Sequence, residues 1–292
     1  MISKRVLVPV NFCTQSDAAL QYASNISREI NSMITCLHVI EEPGYITDKF
    51  ISRDIREQIR REAGQRLSAK VNANINDPKI PFEIIITAGK VHRKISEKAA
   101  DINADFIIMG RSDSMDLTDN LTGSNTKQVI AQAKIPVITV SNSGNFKNRQ
   151  ILVPLDLSKA IQSKISKAIE FAGILHSDVS VLTILRSDGS NLEAQYRRRL
   201  DEIREIFNNA GVTCKVKLVK SKHPVPQEIL SFAKSTRVDL ILIMTQQETH
   251  YTDRFVGSAA QEIINQSEFP VLSIRPEGQK EANYYDAYLA KQ

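Results

Sequence analysis

Two glycine–serine pairs stand at matching places in the chain, where their chemistry would suit an anion. Gly123-Ser124 follows an apolar run at residues 106–109 that Gly110 ends, and Gly257-Ser258 follows a similar run. Glycine lets a backbone approach an anion closely, and the N–H groups at a helix start point toward it along the favourable end of the helix dipole. A strand, a polar loop, a small-residue turn and a helix start together predict a phosphate-binding geometry.

The serines and histidines offer little support for catalysis. Ser124 and Ser258 could act as nucleophiles or phosphoacceptors, but no His–Asp pair is evident beside either. A serine that follows glycine at a helix start more often caps the helix or binds phosphate. No two histidines share metal-ligand spacing on one predicted element, so each is expected to be packed or at the surface: His38, His92, His176, His223 and His250. The sequence predicts neither a catalytic residue nor a metal site.

The charge pattern argues against nucleic-acid binding. The chain carries 38 Lys and Arg against 33 Asp and Glu, a net charge of +5, and it has no Trp. Basic and acidic residues are interleaved, whereas a nucleic-acid binder usually concentrates its charge in a patch. The basic run at residues 196–199 could hold an anionic partner, but acidic residues surround it on the same predicted helix. A solvated, salt-bridged face is the favoured interpretation.

Cysteine spacing and hydropathy predict a cytoplasmic protein that does not enter a membrane. Cys13, Cys36 and Cys214 are odd in number and far apart, which suits neither a disulfide framework nor a zinc cluster. No run of about 18 apolar residues occurs, and the start of the sequence lacks the apolar core of a signal peptide.

A βα-alternating pattern fills the first half of the chain and then restarts. Apolar strand patterns alternate with helical ones, which predicts a parallel sheet. Residues 151–156 repeat residues 6–11 at an offset of 145, and from residue 104 onward the offset is 134, which pairs Gly123-Ser124 with Gly257-Ser258. Two offsets that each hold over several elements indicate an internal duplication.

These residues make the chain resemble two fused universal stress proteins. The carriers are the strands VLVPV-N-F and ILVPL-D-L and the block IIMG…GS…IPVITV, and the resemblance covers the chain except the tail after Arg275. It implies two flavodoxin-like, doubly wound α/β domains, each with a five-stranded parallel sheet of order 3-2-1-4-5 and helices on both faces. A ligand would then lie outside the carboxyl ends of strands one and four, where the strand order reverses.

The resemblance also implies site residues. ATP-binding members carry G-x2-G-x9-G-(S/T) after strand four for the phosphates and ribose, while an acidic residue after strand one and the backbone at the end of strand two hold adenine. The first repeat keeps the outer glycines and the hydroxyl, and the second keeps the acidic residue and the final glycine–serine pair. The implied adenine-nucleotide residues are Asn11, Val39, Gly110, Asp113, Gly123 and Ser124 in the first repeat, and Asp156, Ile184, Gly257 and Ser258 in the second.

Departures from that pattern decide which repeat is favoured. Asp113 replaces the middle glycine and would bring a carboxylate to a phosphate, which costs about 1–4 kcal/mol at about 4 Å unless Mg²⁺ lies between them. Asn11 replaces the acidic residue but keeps hydrogen-bonding capacity. Met244 and Gln247 replace the first two glycines of the second repeat and disfavour a close backbone cradle. The first repeat is therefore favoured for ATP or AMP, with Mg²⁺ when ATP is bound.

We expect one domain over residues 1–143, a second over 148–275 and a tail over 276–292. The resemblance implies that the domains pack as a pseudo-dimer through their last strands, and it leaves further dimerisation of the tandem chain open. The tail, with Tyr284 and Tyr285, is either a partner-docking helix or a segment folded back on the protein.

The expected function is that of a cytoplasmic stress-response protein that binds an adenine nucleotide, with at most slow ATP hydrolysis. The alternative is a nucleotide-free scaffold for protein partners, in which the ATP motifs are relics.

Overall fold

The chain divides into two units. The structure is a computed structural model that describes residues 4–41, 52–111, 125–141, 149–158, 161–186, 190–245 and 256–275. The described part of the first unit begins at Lys4 and ends at Ser141, and that of the second begins at Arg149 and ends at Arg275.

The first unit is a parallel sheet between two helical layers. Its strands lie in the order β3-β2-β1-β4-β5, and the neighbouring pairs are parallel. Helices α1 and α2 pack against each other, as do α3 and α4, which places one helical pair on each face of the sheet. The described elements are β1 (Lys4–Pro9), α1 (Thr14–Ile30), β2 (Ser32–Ile40), α2 (Arg53–Asn74), β3 (Phe82–Ala88), α3 (Val91–Asp101), β4 (Phe106–Gly110), α4 (Asn125–Gln132) and β5 (Val137–Val140).

The second unit repeats this arrangement. Its parallel strands lie in the order β8-β7-β6-β9-β10, so both units show the predicted order 3-2-1-4-5. The described elements are β6 (Gln150–Pro154), α5 (Gln162–Leu175), β7 (Asp178–Leu185), α6 (Ser190–Asn209), β8 (Cys214–Lys220), α7 (Val225–Thr236), β9 (Leu240–Met244), α8 (Ser258–Gln266) and β10 (Val271–Ile274). The predicted α/β fold of two flavodoxin-like units is confirmed.

Unbroken apolar runs explain why the same segments become the central strands of each unit. Residues 6–8 of β1 and 106–108 of β4 are fully buried, and so are residues 151–153 of β6 and 240–242 of β9. A central strand covered by helices on both faces needs apolar side chains in both directions, which a strand with one solvent-exposed face does not.

The duplication extends to unusual backbone conformations. Asn31 and His176, 145 positions apart, end α1 and α5 in the left-handed region with φ of 51°. Asn103 and Arg237, 134 positions apart, have φ of 49° and 51°. Because residues other than glycine rarely adopt positive φ, the recurrence at both offsets supports the duplication independently of side-chain identity.

Several residues singled out in the sequence lie outside the described residues: Asp113, Gly123, Ser124, Gln247, His250 and the tail over 276–292.

Candidate functional site

The reversal of strand order places the candidate site of each unit at the carboxyl ends of its central strands. In the first unit β1 has β2 on one side and β4 on the other, so Asn11 follows the strand between those that carry Val39 and Gly110. The second unit has the same relation among β6, β7 and β9. Crevices at the carboxyl ends of such strands are where open α/β sheets bind ligands.

Asn11 organises the turn between β1 and α1. Its side-chain oxygen accepts hydrogen bonds from the Ser16 hydroxyl at 2.5 Å and the Cys13 thiol at 2.6 Å. Its own N–H donates to the Ser16 hydroxyl at 3.1 Å. The amide oxygen of Asn11 is therefore used within the turn, which leaves the exposed NH₂ group for an external acceptor.

An aromatic and cationic cluster, which sequence reasoning missed, adjoins this turn. Phe12 has φ of 63°, and its ring lies 4.3 Å from that of His38 between centroids. The guanidinium carbon of Arg66 lies 4.7 Å from the Phe12 centroid, a cation–π distance. The His38 Nδ1–H donates to the Val10 carbonyl at 2.7 Å. His38 is therefore held in place by a ring contact and a hydrogen bond.

Gly110 is required by packing between α1 and β4. A Cβ at this position would lie 2.2 Å from the backbone oxygen of Gln15 and 2.5 Å from its carbonyl carbon. The first turn of α1 thus lies directly over the end of β4. In the second unit Met244 occupies the equivalent position, and α5 begins at Gln162, the counterpart of Asp17 rather than of Thr14. The glycine therefore has a structural reason that needs no ligand.

A cavity of about 370 Å³ opens at the corresponding edge of the second unit. It is bounded by the ends of β6, β7 and β9 and by parts of α5, α6, α7 and α8, and its lining is mostly aliphatic, with Leu155, Ile184, Ile229 and Met244 among the residues. This volume lies within the range of about 300–1,000 Å³ that small-molecule sites occupy. The second unit, which the sequence disfavoured, thus has a ligand-sized cavity.

Two predicted site residues line this cavity, Asp156 and Ile184. The exposed Asp156 carboxylate accepts hydrogen bonds from the N–H of Ser158 at 3.0 Å and from its hydroxyl at 2.6 Å. Its oxygens have lone pairs beyond those two bonds, so the carboxylate can still accept from a ligand.

The other two predicted residues stand at the start of α8. Gly257 is the N-cap, with φ of −56°, and its N–H donates to the Thr245 carbonyl at 3.0 Å. Ser258 is the exposed first residue of the helix and does not cap it. The next two residues, Ala259 and Ala260, line the cavity, so the N-terminal turn of α8 forms part of its wall.

Lys164 is a cavity residue that sequence reasoning missed. Its side chain lines the cavity and is only 5% exposed. Burial lowers the pKa of Lys164 to about 8, while the negative charge of Asp156 opposes that shift. The signal was its spacing, because Lys164 stands four and seven residues before Ala168 and Phe171, which are both buried on α5.

The basic run on α6 is only partly the salt-bridged face that was predicted. Arg197 pairs with Glu193 at 2.7 Å, and Lys220 from β8 pairs with the same carboxylate. Arg199, however, donates to the Leu157 carbonyl at 2.7 Å. It therefore ties α6 to the turn after β6, close to the cavity.

Among the described residues, no group of three or more His, Cys, Asp or Glu side chains could hold a metal ion. No helix in the described ranges is both long and apolar enough to cross a membrane.

The fold and this cavity define a duplicated, doubly wound α/β protein, and comparison with known proteins identifies its family. The model of the universal stress protein family matches residues 3–141 and again 147–275. The chain therefore belongs to the universal stress protein family and contains two of its domains.

Individual relatives agree with this assignment. Universal stress protein G of Shigella flexneri is 28% identical over 142 residues, which cover 47% of this chain and 98% of the relative. The crystal structure of a universal stress protein from Archaeoglobus fulgidus covers 96% of this chain and 98% of its own, with a TM-score of 0.71 at 19% identity. That likeness concerns the fold alone. Another Archaeoglobus fulgidus universal stress protein, solved in complex with dAMP, covers 43% of this chain with a TM-score of 0.36 and 20% identity, too limited a likeness to bear on ligands here.

Proposed function

We propose that this chain is a stress-response protein that binds an adenine nucleotide at the carboxyl ends of its sheet strands. The observation that carries the proposal is the cavity of about 370 Å³ in the second unit, at the point where the strand order reverses. The sequence favours the first unit for ATP, and that assignment stays a prediction because half of its implied residues lie outside the described part of the chain.

The chemistry of the second-unit cavity suits a nucleotide. Aliphatic side chains such as Leu155 and Ile184 offer an apolar surface to a base. Asp156 can accept a hydrogen bond from the exocyclic amine of adenine, which is a donor. The N-terminal turn of α8 presents backbone N–H groups that lack partners within the helix, and such turns favour phosphate.

The first unit retains part of the same chemistry. Asn11 offers its NH₂ group, which can donate to an acceptor nitrogen of the adenine ring, and Val39 lies at the end of the neighbouring strand β2. At Gly110 the backbone of α1 lies so close that there is little room for a side chain.

Equilibrium binding of ATP, AMP and GTP to the full chain tests the proposal, with Asp156→Asn as the informative variant. The substitution gives the second unit the same residue type as Asn11 of the first and removes the charge that strengthens the hydrogen bond. We therefore expect about tenfold weaker binding of ATP at the second unit. Asp201→Asn is the matched control, because Asp201 pairs with Arg204 on α6 and is not among the residues that line the cavity. Equal affinity of all three proteins would contradict the role of Asp156, and no binding of ATP or AMP at millimolar concentration would contradict the proposal.

A nucleotide-free scaffold for protein partners is the second candidate, and two observations favour it. The close contact with Gln15 is by itself enough to require a glycine at position 110. Met244 lines the second-unit cavity at the position where family members that bind ATP have a glycine. A scaffold predicts that millimolar ATP leaves the melting temperature unchanged, whereas nucleotide binding raises it.

Cytoplasmic location, slow ATP hydrolysis, a role for Mg²⁺ and the pseudo-dimer arrangement of the two units stay predictions from the sequence.

A further inference from the structure

Lys164 occupies a position that the rest of the fold does not explain. It is the only charged residue among the buried side chains of the described chain, and it is the third residue of α5. At the offset of 145 its counterpart in the first unit is Ala19, which is completely buried. The second unit therefore has the long cationic side chain of Lys164 where the first unit has the methyl group of Ala19.

The ammonium of Lys164 has no direct partner within the described protein. No hydrogen bond or ion pair among the described residues engages it, and Asp156 influences it only through its charge. Asp156 in turn accepts both of its hydrogen bonds from Ser158. The ammonium nitrogen is not among the fully enclosed polar atoms that lack a hydrogen-bond partner, so it reaches the cavity although the rest of the side chain is buried. A largely buried cation without a hydrogen-bonded counter-charge is still costly, and the first turn of a helix adds to that cost because its dipole is positive there.

The cavity is the place where this cost can be offset. Lys164 lines it together with Asp156, Arg186 and Tyr196, which are its other charged or titratable groups. Helix α8 contributes Ala259 and Ala260 from its N-terminal turn, and Ile263 from the turn that follows. An ammonium and a helix N-terminus that line the same cavity both favour a negative group in it. The aliphatic remainder of the wall gives such a group little water to compete with.

We propose that Lys164 binds a phosphate group of the nucleotide in the second-unit cavity, so that this unit requires a phosphorylated ligand. The inference rests on the proposed function and deepens it. Because Ala19 offers no such charge, the two units differ in what they recognise: among the described residues, a buried lysine that could bind phosphate occurs in the second unit and not in the first. A bound phosphate raises the pKa of Lys164 from its value of about 8 in the free protein, because the anion stabilises the ammonium.

The first experiment measures affinity by calorimetry with ATP, AMP, adenosine and inorganic phosphate. Lys164→Met keeps the length of the side chain without its charge, and replacing a buried unpaired charge with an apolar group preserves folding. We expect about tenfold to hundredfold weaker binding of ATP and AMP at the second unit, the range that a hydrogen bond to a charged group supports. Adenosine affinity stays unchanged. Lys167→Met, which removes an ammonium of the same helix that pairs with Glu170, leaves every affinity unchanged.

The second experiment observes Lys164 itself, which separates the two units. In full-length protein labelled with ¹³C at the lysine ε-carbon, the Lys164 resonance is the one that Lys164→Met removes. Its titration midpoint should lie at about 8 in the free protein and rise by at least about one pKa unit when ATP or AMP saturates the chain, but not with adenosine.

The outcomes separate this inference from the proposed function. ATP binding that is equal in wild type and Lys164→Met, with an unmoved Lys164 midpoint, overturns the inference and leaves nucleotide binding standing. A midpoint that rises with inorganic phosphate but not with ATP or AMP overturns the assignment to a nucleotide phosphate. Absence of any binding by ATP, AMP and adenosine overturns the proposed function, and the inference with it.

Discussion

Replacing Lys164 should make the nucleotide-free protein more stable, with a pH dependence that follows from its burial. In the folded state the pKa of Lys164 is lowered from 10.5 to about 8. At about 1.4 kcal/mol per pKa unit, this difference corresponds to ~3 kcal/mol of destabilisation by the charged form. Below pH 8 the lysine is charged in both folded and unfolded states, so the whole penalty is present.

The penalty should disappear as pH rises. Between pH 8 and 10.5 the folded protein has released the proton while the unfolded chain still binds it, so the free energy of unfolding rises with pH. Lys164→Met lacks this titration. We therefore expect the variant to exceed wild type by up to ~3 kcal/mol at about pH 7, and the difference to shrink toward zero near 10.5.

Urea unfolding of dialysed protein, followed by circular dichroism at a series of pH values, measures this difference directly. Subtracting the free energy of unfolding of wild type from that of Lys164→Met at each pH cancels the contributions of all titrating groups that do not contact Lys164. Lys167→Met, which removes a lysine from the same helix, controls for the loss of one positive charge. A variant that is no more stable than wild type at neutral pH, or a difference that does not change with pH, would refute the reasoning.

Two further predictions concern packing. Gly110→Ala would place a methyl group 2.2 Å from the backbone of α1 and should lower the free energy of unfolding by about 1–3 kcal/mol. Gly64→Ala, in open space on α2, should raise the free energy of unfolding by about 0.5–1 kcal/mol. Urea unfolding measures both variants, and equal effects would contradict the close contact at Gly110. Burial raises the pKa of Cys36 and Cys214 to about 12, so a thiol reagent at pH 8 should modify only the half-buried Cys13 of the native protein. Mass spectrometry of the labelled peptides checks this, and early labelling of Cys36 would oppose it.

The fold was predictable because its information is local and repeated. Buried runs such as residues 106–108 have no polar alternation, which indicates a central parallel strand. The offsets of 145 and 134 then carry each element of one unit to the other, down to the left-handed Asn31 and His176. Strand order came from the family resemblance, and the structure confirms it.

The site was less predictable because it depends on contacts between distant segments. The sequence shows that Gly110 is small, but not that the backbone at Gln15 lies against it. A lysine in a helical pattern is usually solvated, and the burial of Lys164 depends on the strands and helices that enclose the cavity. The clustering of Phe12 with His38 and Arg66 likewise joins three elements. Besides the helical spacing of Lys164, the comparison of Ala19 with Lys164 through the duplication was a sequence signal that could have pointed to the second unit.

Photolabelling with an azido derivative of ATP, followed by mass spectrometry of the labelled peptides, tests the central claim most directly. We expect label on peptides that line the second-unit cavity, such as those containing Asp156 or Tyr196, and we expect excess ATP to prevent it. Label that excess ATP does not reduce, or ATP-protected label confined to residues 4–141, would contradict the assignment of a nucleotide to this cavity.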